Sequence, residues 1–207
     1  MSAVSETIVR EYFEQHAFLV RQHRKYIAPN KNEDDDIDFF VLNPHPQAPA
    51  GALPFVLNSP DLPAIERAIV VVKGWHTETF SSGVLTRAPE IFRFVEPRVF
   101  QQAVRAFGKD GAPLKILVVP ALPQAAEARD ESIALLRSKG VDAVIPFRTM
   151  LTDLVNETEV NRNYQKSDLL QIIRILKNYD FFKEPQLELF RTKRKKPAQA
   201  KNQKAQL

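Results

Sequence analysis

Cysteine is absent from this chain of 207 residues. Its absence excludes a disulfide framework, a thiolate nucleophile and cysteine-based zinc sites, and fits a reducing compartment. Long apolar runs are missing too. None approaches the ~20 residues of a membrane-spanning helix. The opening stretch MSAVSETIVREY lacks the apolar segment of a signal peptide. The expectation is a soluble, cytoplasmic protein. Familiar site signatures are also missing, with no GxGxxG, no P-loop and no HExxH. The four histidines, His16, His23, His45 and His76, are too scattered to form a metal cluster by spacing.

The composition that remains, 44% hydrophobic and 26% charged, is that of a globular protein. At this length one domain with appendages is the default. The charge is unevenly divided. Residues 191–207 carry seven basic side chains and no acid, which leaves 22 basic against 25 acidic over residues 1–190. The net +4 therefore belongs to a disordered basic tail on a near-neutral body, residues 1–190. Such a tail either contacts phosphates loosely or only solubilises. The acidic run Glu33 to Asp36 either binds a divalent cation or is a solvated loop.

Five apolar residues, Ala68 to Val72, end on Lys73. The β-branched run suits a strand buried on both faces. An ammonium closing such a strand is costly without a partner, so Lys73 either snorkels at a sheet edge or lines a polar site. Asp38, inside the run Ile37 to Leu42, raises the second reading. An aspartate leading one strand and a lysine closing the next can meet on one sheet face.

Apolar spacing predicts a helix over Glu6 to His16 with Ser5 as its N-cap, then a short strand over Ala17 to Gln22. His23 to Asp36 reads as a loop and Ile37 to Leu42 as the next strand. Six prolines fall between Asn43 and Pro63; Pro54 to Leu57 is expected at the sheet edge and Asp61 to Arg67 as a helical turn. Thr77 to Thr86 is a Ser/Thr/Gly stretch. Pro97 opens a helix to Phe107, stopped by Gly108 and Gly111. There follow a strand (Lys115 to Pro120), a helix (Ala125 to Lys139), a strand (Val141 to Phe147) and two helices within residues 149–180. The last, Ser167 to Asp180, has an apolar stripe broad enough for the body or for a second copy. The fold class is α/β, with a mixed central sheet of about five strands flanked by helices.

This order of elements resembles the PD-(D/E)XK, or restriction-endonuclease-like, nuclease superfamily, in particular its archaeal Holliday-junction-resolvase branch. The likeness runs from Glu6 to Leu122. Glu6 stands eleven residues before the Ala17-Phe18 step, Asp38 opens the second strand within IDFF, and Lys73 closes the third. AVRAFGKDGAPLKILVV is similar to the family's next helix, glycine turn and strand. The resemblance implies a Mg²⁺- or Mn²⁺-dependent hydrolase of nucleic-acid phosphodiesters, DNA before RNA. It makes Asp38 the main metal ligand, Glu6 an outer ligand and Lys73 the base or charge stabiliser. A hard cation held by carboxylates activates water and offsets phosphate charge.

One position departs from the pattern. The acidic ligand expected two residues before the lysine is Val71. Side chains two apart share a strand face, so an apolar group stands where a carboxylate is needed. Glu78, Glu90 and Glu96 lie downstream, and Glu96, at the Pro97 helix start, is the first choice for a migrated ligand. The alternative is a nuclease-fold module that binds nucleic acid or a protein partner without cutting. Arg24, Lys25 and the tail residues Lys193, Arg194, Lys195 and Lys196 would supply nucleic-acid contacts. A third reading is an α/β partner-binding protein whose final helices dimerise.

Overall fold

The computed structural model describes residues 3–22, 37–48, 51–108 and 111–182. Five strands form one mixed sheet in the order β1 (Leu19–Gln22), β2 (Phe39–Leu42), β3 (Arg67–Val72), β4 (Leu114–Val119) and β5 (Ala143–Pro146). The first three make an antiparallel meander, and β4 and β5 run parallel to β3. Helix α1 (Ala3–Gln15) precedes the meander; α2 (Ser82–Arg87) and α3 (Pro97–Phe107) cross from β3 to β4. Helix α4 (Ala126–Ser138) crosses to β5, and α5 (Phe147–Glu157) and α6 (Asp168–Asn178) follow. The expected α/β class and five-stranded mixed sheet are what the chain builds.

The strand alternation sorts the core into two layers. Val70 and Val72 of β3 face α1, α5 and α6, packing with Val9, Tyr12, Phe13, Met150 and Ile173. Ile69 and Val71 face the crossover helices, with Phe80, Leu85, Phe94, Ala103 and Leu136. Both parallel crossovers cover this second face, which is how β3, β4 and β5 follow in one direction. Every β3 residue from Ala68 to Val72 is buried, as a strand central to a covered sheet requires.

The proline-rich connection adds to the sheet at its far edge. Phe55 and Leu57 exchange backbone hydrogen bonds with Val144, and Val56 bridges it in parallel. The helical turn expected over Asp61 to Arg67 lies earlier, as a 3-10 helix over Ser59–Ala64, because Arg67 is already in the β3 ladder. Two elements went unread in the sequence: α2, within the Ser/Thr/Gly stretch, and a 3-10 helix over Pro89–Val95. Both are short, and their apolar residues (Leu85, Ile91, Phe92, Phe94) are fixed by packing on the second face. Ser5 is not an N-cap, since α1 begins two residues before it.

Among the described residues no helix is long and apolar enough to cross a membrane. Helix α6 buries Leu170 and Ile173 against the body, while Ile172, Ile175 and Tyr179 remain exposed.

Candidate functional site

Asp38 is buried immediately before β2. Its backbone N–H donates to the Val70 carbonyl at 3.1 Å. Its carboxylate Oδ2 accepts from the Val72 N–H at 2.8 Å. Strand alternation slips here, because Ile37 packs on the second face and Phe39 on the first. The carboxylate thus turns into the plane of the strands and takes up a β3 donor. A buried charge needs such partners. The bond sets Asp38 against Val72, one residue before Lys73.

Lys73 is half-buried and continues β3 by one residue, its N–H donating to the Val118 carbonyl at 3.0 Å. Beyond it Gly74 passes close to α1. A Cβ on Gly74 would lie 2.5 Å from Ser5 Oγ, so any other residue here would force Ser5 to shift. The buried Ser5 hydroxyl then bonds His76 Nε2 at 3.0 Å. The His76 ring meets Phe147 edge-on, with centroids 4.6 Å apart.

Glu6, beside Ser5, comes to the same end of the sheet by a second route. Gln22 Nε2 donates to Glu6 Oε2 at 2.6 Å. Gln22 pairs with Phe39, the neighbour of Asp38. The turn into β1 also has a physical account. Ala17 has φ 61°, the left-handed region that penalises any Cβ, so this turn carries backbone strain just ahead of Phe18.

Asp38 and Lys73, far apart in sequence, therefore stand on adjacent strands at the carboxyl end of β3, and the Gln22 bond draws Glu6, on the α1 face, toward the same end. Ser5, Gln22, Gly74 and His76 hold that junction together. The sequence signalled His76 only as a histidine near a candidate strand end, and Ser5 only as a capping residue. Nothing in their spacing announces that the two side chains bond.

Two expected participants stand elsewhere. Val71 is 1% exposed and packs with Ile69, Leu117 and Val119, so the position of the missing acid belongs to the apolar core. Glu96 is exposed at the start of α3. Its neighbour Val95 packs at Gly140, and Phe100 lies under Lys115 Nζ, 4.6 Å from the ring centroid. Both contacts are at the amino ends of β4 and β5, the opposite end of the sheet from Lys73. A migrated-ligand role for Glu96 is therefore corrected, because the Pro97 helix starts at the wrong end of the strands. Glu78, in the loop after β3, stays on the Lys73 side.

Among the described residues no three His, Asp or Glu side chains converge into a ready metal-binding group. Arg24, Lys25, Lys193, Arg194, Lys195, Lys196 and the run Glu33 to Asp36 lie outside the described residues. Tyr12, behind the junction on α1, has its phenol pushed up to about 12, chiefly by burial, against an opposing hydrogen bond with the Ser59 hydroxyl. It stays neutral and serves packing. No family model, curated protein or solved structure matches this chain.

Proposed function

We propose that this chain is a restriction-endonuclease-like, metal-dependent nuclease acting on nucleic-acid phosphodiesters, with DNA the first substrate. The observation that carries the reading is the placement of Asp38 and Lys73 on adjacent strands at one sheet end, where the Val72 N–H holds the Asp38 carboxylate at 2.8 Å and Gln22 holds Glu6 at 2.6 Å. The helix, three strands, helix and strand that the resemblance calls for occur in that order.

The donor set suits a hard cation. Mg²⁺ is commonly held by one or two carboxylates together with phosphate oxygens and water. Asp38 would hold it, with Glu6 as an outer ligand. When bound, such an ion would supply Lewis-acid stabilisation of the phosphate and would make a coordinated water more acidic. Lys73 contributes a fixed positive charge for the developing negative charge at phosphorus. The Asp38 carboxylate is oriented by the Val72 N–H, and Ser5 and Gly74 keep α1 against the end of β3.

The buried Val71 favours a second reading, in which the fold binds nucleic acid and does not cut. Incubating the purified protein with branched and linear DNA and Mg²⁺ or Mn²⁺ separates the two. Cleavage abolished by Asp38→Asn and by Lys73→Ala supports the enzyme. Salt-dependent binding without cleavage under any metal supports the binding module. A resolvase would need a two-fold dimer to place paired cuts, and the exposed Ile172, Ile175 and Tyr179 are the surface proposed for it. Sedimentation of Ile172→Lys against the unaltered chain tests that dimer. Action on nucleic acid goes with the cytoplasmic location suggested by the missing cysteines.

A further inference from the structure

Beside Lys73 the loop after β3 walls an open cleft of about 460 Å³, lined by Trp75, Thr77, Glu78, Val84, Arg87 and Ala88. The volume falls within the range of small-molecule sites. Trp75 is half-buried, and its ring meets the buried Phe80 edge-on at 5.6 Å between centroids, which steadies the indole. The Glu78 N–H donates to the Trp75 carbonyl at 2.8 Å, so a tight turn sets the acid beside the aromatic wall. Arg87 closes α2 and is exposed. The site therefore combines an aromatic plate, apolar side chains, one acceptor and one cation, two residues from Lys73.

We propose that this cleft is a subsite for one unpaired nucleobase of a single-stranded or splayed nucleic acid whose backbone passes the Asp38–Lys73 junction. The inference rests on the nuclease-fold reading above. Stacking on an aromatic side chain accepts any base and is a main source of single-strand affinity. Arg87 suits the flanking phosphate. Glu78 accepts from an exocyclic amine, the group that distinguishes cytosine from thymine. The preferred occupant is an amine-bearing base, so cytosine is favoured over thymine.

Trp75 is the only tryptophan in the chain, so its emission reports the cleft directly. Short oligonucleotides of deoxycytidine or deoxythymidine are titrated into the full-length protein at low salt with EDTA, which blocks cutting. The expected result is saturable quenching, tighter for deoxycytidine. By anisotropy of labelled oligonucleotides, Trp75→Ala should weaken binding about tenfold or more, and Trp75→Phe should retain most of it. Arg87→Ala, at an exposed site that leaves the fold intact, should weaken both ligands. Glu78→Gln should level the two bases.

DNA that is bound or cut with unchanged Trp75 emission, and with no effect of Trp75→Ala or Arg87→Ala, overturns the subsite and leaves the nuclease reading standing. Quenching without base preference overturns the role of Glu78. Absence of any DNA affinity at low salt, together with absence of cleavage, overturns both readings.

Discussion

Replacing Asp38 separates what its carboxylate does for the fold from what it does for chemistry. The Val72 N–H is buried, and Oδ2 of Asp38 is its acceptor at 2.8 Å. Asp38→Ala removes that acceptor and strands a donor in the core. A hydrogen bond to a charged group contributes about 1.5–3 kcal/mol, and an orphaned buried donor costs a similar amount. For a body of this size each kcal/mol moves Tm by about 2–4 °C, so Asp38→Ala should melt about 4–10 °C lower. Asp38→Asn keeps an oxygen for Val72 but carries no charge for a cation. Its stability loss should stay below about 1 kcal/mol, while Mg²⁺-dependent cleavage disappears. Thermal melts by circular dichroism, with and without Mg²⁺, run beside the cleavage assay. An Asp38→Ala protein as stable as the unaltered chain would show that the Val72 bond does not hold this end of the sheet. An Asp38→Asn protein that cuts at the normal rate would remove Asp38 from the metal site.

Further substitutions probe the surroundings of that junction. Gly74→Ala sets a Cβ 2.5 Å from Ser5 Oγ and should cost about 1–3 kcal/mol; pairing it with Ser5→Ala should recover part, read as coupling in a double-mutant cycle. Val71→Glu buries a carboxylate among Ile69, Leu117 and Val119 and should lower Tm by roughly 5 °C or more without metal. Added Mg²⁺ should then restore Val71→Glu more than it raises the unaltered chain, and equal shifts would count against a cation at this end.

Tyr12 gives a pH prediction. With its folded pKa raised from 10.0 to about 12, its contribution is complete below pH 10 and is lost as pH rises toward 12. Roughly 3 kcal/mol is at stake, and the urea midpoint should fall further between pH 9 and pH 11 for the unaltered chain than for Tyr12→Phe. Ala17→Gly relieves the left-handed φ of 61° and should add about 0.5–1 kcal/mol, visible as a higher urea midpoint.

Sequence alone was enough to read the long regular elements. The β-branched run ending at Val72 is a strand because its side chains fit a sheet covered on both faces. Helix α3 has its proline at the start and glycine at φ 88° just past its end, as the sequence indicates. The shared neighbourhood of Asp38 and Lys73 was also legible, since an acid before one apolar strand and a cation after the next suggest a common end. What only the tertiary structure decided are the relations between distant segments. The slip at Asp38, the seating of Ser5 on Gly74, the Gln22 bond to Glu6 and the distance of Glu96 from Lys73 follow from how helices lie on the sheet. Local periodicity says which face a residue shares, because each strand repeats every two residues and each helix every 3.6. It does not say which end of one element meets which end of another; burial across the whole sheet fixes that.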